Sequence, residues 1–165
     1  MKIVFLGIGT NLGDREVNLK RAIGLIEEYI GPVLQFSSVY KTEPWGFQTE
    51  DEFLNQVVKV ETVLTPSGLL GKILMIESLS GRVRSTQRYS SRLMDIDILL
   101  YEDLILDSET LKIPHPLISE RKFVLIPLCE IASEMIHPVL KKTISELLEI
   151  CKDNSRVLPW HDPMA

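Results

Sequence analysis

Asp95 and Asp97 stand two apart in the apolar run Met94-Asp95-Ile96-Asp97-Ile98. Four of the chain's eight arginines, Arg82, Arg84, Arg88 and Arg92, lie within the eleven residues 82–92 just before it. No acidic residue falls between Ser78 and Met94, although the formal net charge is −5. In a strand, alternate side chains share a face, so Asp95 and Asp97 point one way and Met94, Ile96 and Ile98 the other. Carboxylates about 7 Å apart repel by about 2.4 kcal/mol at an effective dielectric of about 20. A divalent cation reverses that cost. Paired carboxylates beside a cationic arm suit phosphoryl transfer, with Mg²⁺ bridging phosphate oxygens and guanidinium groups neutralising charge. Taken singly, an Asp-x-Asp pair is common in structural strands, and exposed arginines are usually solvated. It is their adjacency that points to a polyphosphate. The chain has no G-x-x-x-x-G-K-[ST] loop and no protein-kinase signature set.

These groups need a scaffold to position them. Residues 2–8 form a β-rich run ending on Gly7-Ile8-Gly9-Thr10-Asn11-Leu12-Gly13-Asp14, whose glycine spacing is one residue too long for a dinucleotide fingerprint. Asp14 fits a helix N-cap, and Leu19, Ala22, Ile23, Ile26, Tyr29 and Ile30 make a helical stripe stopped by Gly31-Pro32. A second strand is expected over 33–41 and a third over 53–63, joined by a loop that carries Trp45 and Phe47. In the third strand Phe53, Asn55 and Val57 share a face. Thr65-Pro66 opens a second helix running to about Ser80, with Gly81 suited to its end. Glu77 falls in its last turns, where the helix dipole disfavours an anion, and a solvated residue and a functional one are equally open there. A strand over 93–101, a small hairpin between 104–106 and 111–113, and the rigid bend Pro114-His115-Pro116 follow. Residues 119–122 read as a helical turn before the apolar run 123–127, and Thr143-Ile144-Ser145-Glu146 as a capping box opening a last helix to about Lys152. The tail from Asp153 is polar and is expected to be loosely ordered. The order through Tyr101, β-α-β-β-α-β, predicts an α+β ferredoxin-like fold: an antiparallel sheet with helices on one face and added C-terminal helical elements.

At 165 residues the chain suits one domain, and its 45% hydrophobic and 25% charged content is that of an ordinary globular protein. A pI near 5.3 opposes a general nucleic-acid binder. Cys129 and Cys151 lack metal-ligand spacing and read as buried thiols of a reduced compartment. No run is long enough to suggest a membrane span or shaped like a signal peptide, so a cytoplasmic protein, monomeric and without membrane or nucleic-acid partners, is expected. Phe53 and Trp45 offer flat faces for a heterocycle or simply fill the core, Phe123 taken alone reads as core, and Asn55 could read the edge of a ring stacked on Phe53. His115, held between prolines, is a candidate phosphate contact, whereas His137 and His161 have no evident partner.

With these pieces in order, the sequence resembles the 6-hydroxymethyl-7,8-dihydropterin pyrophosphokinase family of folate biosynthesis. The matching stretches are Gly9-Thr10-Asn11-Leu12-Gly13-Asp14, Thr42-Glu43-Pro44-Trp45-Gly46, Phe53-Leu54-Asn55, Gly81-Arg82-Val83-Arg84, Asp95-Ile96-Asp97-Ile98-Leu99, Pro114-His115-Pro116, Glu120-Arg121-Lys122-Phe123-Val124-Leu125 and Pro127-Leu128-Cys129-Glu130-Ile131-Ala132. The resemblance implies transfer of the β,γ-diphosphate of ATP to the pterin hydroxymethyl oxygen, with release of AMP. It implies two Mg²⁺ ions on Asp95 and Asp97, and catalytic arginines Arg82 and Arg92 on a closing loop that also bears Arg84 and Arg88. It places His115 and Arg121 at phosphates, Ile98 and Glu77 on the nucleotide side, and Thr42, Pro44, Trp45, Phe53, Asn55 and Phe123 around the pterin. The sequence departs from the family at Tyr89-Ser90-Ser91, where Trp-Gly-Pro is frequent, and at Leu117, where arginine is frequent; both bear on the loop and on ATP affinity. Two other readings remain open at this point: a nucleotidyl transferase on a ferredoxin-like palm, and an RNA-binding module of the same fold.

Overall fold

The structure is a computed structural model and describes residues 1–42, 52–80 and 94–160. The arginine arm with Arg82, Arg84, Arg88 and Arg92, the segment bearing Pro44 and Trp45, and His161 lie outside the described residues.

β1 (Lys2–Thr10) leads into α1 (Arg15–Tyr29), whose N-cap Asp14 accepts a hydrogen bond from the Val17 amide at 3.2 Å. Leu19, Ala22 and Ile26 bury the predicted stripe. At the helix end the chain runs so close to the sheet that a Cβ on Gly31 would sit 2.0 Å from the Glu61 carbonyl oxygen. β4 (Phe53–Thr62) returns antiparallel to β1, and α2 (Pro66–Leu79) starts on Thr65, which accepts from the Gly68 amide at 3.1 Å. β5 (Asp95–Tyr101) then pairs with the other edge of β1.

The strand expected over 33–41 is two strands, β2 (Val33–Phe36) and β3 (Tyr40–Thr42), which pair with successive parts of β4. Ser37 causes the break. Its buried hydroxyl accepts the Val57 amide at 3.0 Å and its own amide donates to the Val57 carbonyl at 2.8 Å, so a side chain enters the ladder. β6 (Leu106–Asp107) and β7 (Lys112–Ile113) form the small hairpin, and the Ile113–Pro114 bond is cis. The expected turn at 119–122 is a 3-10 turn at Ile118–Glu120. The apolar run after it is α3 (Lys122–Ala132), with Pro127 inside the helix. α4 (Ile144–Ile150) carries both halves of the capping box, Thr143 and Glu146.

With β8 (Val157–Pro159) from the tail, the main sheet has the order β5-β1-β4-β3-β8 with β2 also on β4, all antiparallel, which is the ferredoxin-like arrangement with its outer hairpin strand split. α1 and α2 cover one face over Val4, Leu6, Ile8, Leu54, Val58, Ile96 and Ile98. α3 and α4 cover part of the other over Phe5, Val57, Leu99 and Leu100.

As far as Trp160 the tail departs from expectation, and 161–165 lie outside the described residues. Asp153 accepts the Lys122 amide at 2.9 Å at the start of α3, and β8 (Val157–Pro159) adds to the edge of β3. The Trp160 amide donates to the Val39 carbonyl at 2.9 Å, its indole NH donates to Glu16, and the Arg15 guanidinium lies 5.5 Å from its ring centroid. A polar composition concealed these anchors, because they are strand pairing and single side-chain contacts rather than a buried stripe. Cys129 and Cys151 are half-buried rather than fully buried. His137 is buried, and its Nδ1 accepts the Val139 and Leu140 amides at 3.2 and 3.1 Å, a structural turn that answers its missing partner. Trp160→Ala is expected to lower unfolding free energy by about 2 kcal/mol, from a lost charge-assisted hydrogen bond and cation–π contact. Urea denaturation measures this; an unchanged midpoint would mean that the tail is not anchored.

Candidate active site

β1 is the middle of the site because of what it lacks. The register sets Gly9 opposite Asn55 on β4 and Asp95 on β5, and Gly7 opposite Val57 and Asp97. Residues paired across an antiparallel sheet share a face, so Asn55, Gly9 and Asp95 form one row and Val57, Gly7 and Asp97 the next. Asn55 and Asp95 are two strand spacings apart, about 10 Å between Cα atoms. Between them only glycine backbone floors the face. A Cβ on Gly9 would approach Asn55 Oδ1 to 2.9 Å, whereas one on Gly7 would make an ordinary 3.5 Å contact with Leu99.

On the β4 side, the Asn55 side-chain NH₂ donates to Thr42 Oγ1 at 2.5 Å, and both residues are buried. That bond fixes which end of the carboxamide is which, leaving Oδ1 over Gly9. Half-buried Phe53 pairs with Thr42 and flanks them on the same face.

On the β5 side, Asp95 and Asp97 are half-buried, while Ile96 and Ile98 are buried in the core beneath α1 and α2 as predicted. The register slips by one residue between Phe5 and Leu6, leaving Leu99 as an extra residue on β5. The Leu99 carbonyl accepts the His115 amide at 3.0 Å, so this bulge docks the Pro114-His115-Pro116 bend beside the aspartates. His115 Nδ1 accepts the Leu117 amide at 3.1 Å, which leaves the proton of the neutral ring on Nε2. Nε2 lies 4.0 Å from Asp97 Oδ1. Burial, aided by the Arg121 charge and opposed by Asp95, pulls the His115 pKa down to about 4. His115 is therefore neutral at pH 7, and its approach to Asp97 is that of an NH dipole rather than an ion pair.

Arg121 is buried at the N-terminus of α3, its guanidinium carbon 5.5 Å from the Phe123 ring centroid. Phe123 packs against the cluster that contains Val57 and Leu99, on the same side of the sheet as the two rows. The structure thus gathers Thr42, Phe53, Asn55, Asp95, Asp97, His115, Arg121 and Phe123 on one side of the sheet. Glu77 reaches the same strand from α2 and is not solvated. It is buried at the end of α2 and accepts the Ile96 amide at 3.0 Å.

Sequence reading missed a cavity of about 260 Å³ at the β5 edge, between Asp97 and His115 on one side and Leu70, Ile73, Leu111 and Lys112 on the other, with Ile98 in its wall. The predicted hairpin was the available signal for Leu111 and Lys112, but nothing in one sequence brings that hairpin against α2. Among the described residues no group of three or more His, Cys, Asp or Glu side chains could hold a metal. Asp95 and Asp97 offer two half-buried carboxylates on one face, oxygen donors of the kind that a hard divalent cation takes.

Comparison with known proteins decides the family. The family described as 7,8-dihydro-6-hydroxymethylpterin-pyrophosphokinase (HPPK) matches residues 5–133. The chain belongs to the HPPK family. It is 40% identical over 146 residues to the 2-amino-4-hydroxy-6-hydroxymethyldihydropteridine pyrophosphokinase of Aquifex aeolicus, covering 88% of this chain and 90% of that one. The Bacillus subtilis protein of the same name is 39% identical over 134 residues, covering 81% and 80%. Folic acid synthesis protein fol1 of Schizosaccharomyces pombe is 37% identical over 90% of this chain, which spans only 20% of that protein. A crystal structure of Plasmodium falciparum HPPK-DHPS with pteroate superposes with a TM-score of 0.75 at 20% identity, over 90% of this chain and 44% of that one, and establishes the shared fold. Among the described residues no helix of this HPPK-family chain is long and apolar enough to cross a membrane.

The His115 geometry sets a pH dependence. The unfolded imidazole protonates near pH 6.5 and the folded one only near 4. As pH falls through that window the unfolded chain gains a proton that the folded one refuses, so stability falls, by up to about 3 kcal/mol. Denaturation of the wild type and His115→Asn in a chelating buffer checks this. The stability gap between them is expected to narrow from pH 7 to pH 4, and parallel profiles would contradict a buried neutral imidazole.

Proposed function

We propose that this protein transfers the β,γ-diphosphate of ATP to the hydroxymethyl group of 6-hydroxymethyl-7,8-dihydropterin, giving the pterin diphosphate and AMP in folate biosynthesis. One observation carries the proposal. The Thr42–Asn55 pair and the Asp95–Asp97 pair share a sheet face, separated by the bare backbone of Gly7 and Gly9, in a chain of the HPPK family.

The pterin is assigned to the β4 side. Asn55, oriented by Thr42, presents its carbonyl to a ring NH, and Phe53 and Phe123 supply flat surfaces, with Pro44 and Trp45 completing the pocket. ATP is assigned to the β5 edge, its base toward the cavity beside Ile98 and its phosphates toward His115 and Arg121. Arg121 is a fixed positive charge for a phosphate oxygen. Neutral His115 donates from Nε2 without adding repulsion to Arg121. Asp95 and Asp97 would hold two Mg²⁺ ions, whose bound charge offsets that of the phosphate oxygens at the reacting centre. Arg82 and Arg92, with Arg84 and Arg88, are assigned to the same phosphates, and Glu77 supports the β5 edge. Catalysis is then mainly positioning: the two rows hold the hydroxyl and the β-phosphorus in line, and the fixed cation and donors stabilise the charge that moves between them.

The deciding assay mixes protein, MgATP and the hydroxymethyl dihydropterin and identifies the nucleotide product. AMP is expected; pyrophosphate release from ATP would instead indicate nucleotidyl transfer. Asp97→Ala is expected to lower turnover by about a hundredfold or more while the protein still binds pterin, and undiminished turnover would remove the metal role. Gly9→Ala is expected to displace the Asn55 carboxamide and raise the KM for pterin roughly tenfold, leaving the KM for ATP unchanged. Equal changes in both constants would contradict the division of the face between the two substrates.

A further inference from the structure

Glu130, on α3, lies outside the two rows. Both of its carboxylate oxygens are nevertheless fastened to the segment linking β2 and β3. The Ser38 amide donates to Oε1 at 3.1 Å and to Oε2 at 3.0 Å, the Ser38 hydroxyl donates to Oε2 at 2.9 Å, and the Tyr40 hydroxyl donates to Oε1 at 2.7 Å. This exposed carboxylate is held in one place by bonds from residues 90 and 92 positions earlier. Partial burial raises its pKa, but the bonds from Tyr40 and Ser38 outweigh that and hold it below the usual carboxylate range. Burial and the hydrogen bond to Glu130 push the Tyr40 hydroxyl up to about 12, so it remains a donor at neutral pH.

The two ends of this clamp lead to the two sides of the pterin pocket. Glu130 is seven positions after Phe123, two helical turns, so both residues lie on nearly the same stripe of α3. Tyr40 is two positions before Thr42 in β3, so their side chains share a face, and Tyr40 pairs with Asn55. The clamp therefore fixes the stripe of α3 that carries Phe123 relative to the strand that carries Thr42, which in turn orients Asn55.

We propose that Glu130 is a positioning residue for the pterin pocket, setting the separation of Phe123 from the Thr42–Asn55 pair. This rests on the function proposed above. Loss of Glu130 leaves the aspartate pair, His115 and the β5-edge cavity in place, so it should act on the pterin and not on the nucleotide.

The test measures equilibrium binding of the hydroxymethyl dihydropterin and, separately, of a non-hydrolysable ATP analogue with Mg²⁺, in wild type, Glu130→Gln, Glu130→Ala and Tyr40→Phe. Tyr40→Phe removes a single hydroxyl and keeps the variant series readable if Glu130→Ala folds poorly. The expected result is pterin binding weakened roughly tenfold in Glu130→Ala and less in Glu130→Gln and Tyr40→Phe, with the nucleotide Kd within twofold of wild type throughout. Pterin binding unchanged in all three variants would overturn the proposal. So would a parallel loss of both affinities tracking a fall in Tm, which is the signature of a residue that only stabilises the fold. A wild type that binds neither compound would overturn the function reading itself, a different result from a wild type that binds both and variants that match it.

Discussion

The site depends on the register of one strand. β1 lies between β4 and β5, and antiparallel pairing sets Gly9 and Gly7 opposite Asn55 and Asp95, and Val57 and Asp97. A slip of one residue would turn every side chain of β1 to the other face. Val4, Leu6 and Ile8 would leave the core, and the glycines would no longer floor the face between asparagine and aspartate. The core on one side of the sheet thus enforces the spacing of polar groups on the other. Burying three β-branched or branched side chains, at about 1.5–3 kcal/mol each, outweighs the repulsion of two half-exposed carboxylates.

Much of this was legible in the sequence because it follows from periodicity. Alternation placed Asp95 and Asp97 on one face and Ile96 and Ile98 on the other, and put Phe53 with Asn55. The N-caps at Asp14, Thr65 and Thr143 all form as their side-chain chemistry requires. What could not be read depends on single contacts between distant segments. Ser37 divides a strand by placing a hydroxyl in the ladder, and nothing in a β-rich run announces which serine will do so. The Leu99 bulge, which docks His115, leaves no trace in an unbroken apolar run. The run Phe123–Pro127 has no clear period, and its proline argues against the helix that forms. The tail is held by Trp160, Asp153 and three residues of strand, too few for a compositional signal.

Electrostatics divides the site in the same way as geometry. The Arg121 guanidinium is buried and His115 is neutral at pH 7, so among the described residues a cation and a neutral donor share the side of the sheet that carries the two carboxylates. A protonated His115 would set a second cation near Arg121 without substrate present, and burial opposes it. The neutral ring keeps a directional donor at the aspartates at little electrostatic cost.

Glu77 has a consequence beyond the site. β5 is the terminal strand of the main sheet, and such edges offer unpaired amides to any extended segment of another chain. Here the Ile96 amide is already satisfied, and by a buried carboxylate anchored in α2. An invading strand would have to displace that buried carboxylate before it could pair with the Ile96 amide. Glu77 therefore caps that stretch of the edge from within the same chain, one residue from each of the two aspartates.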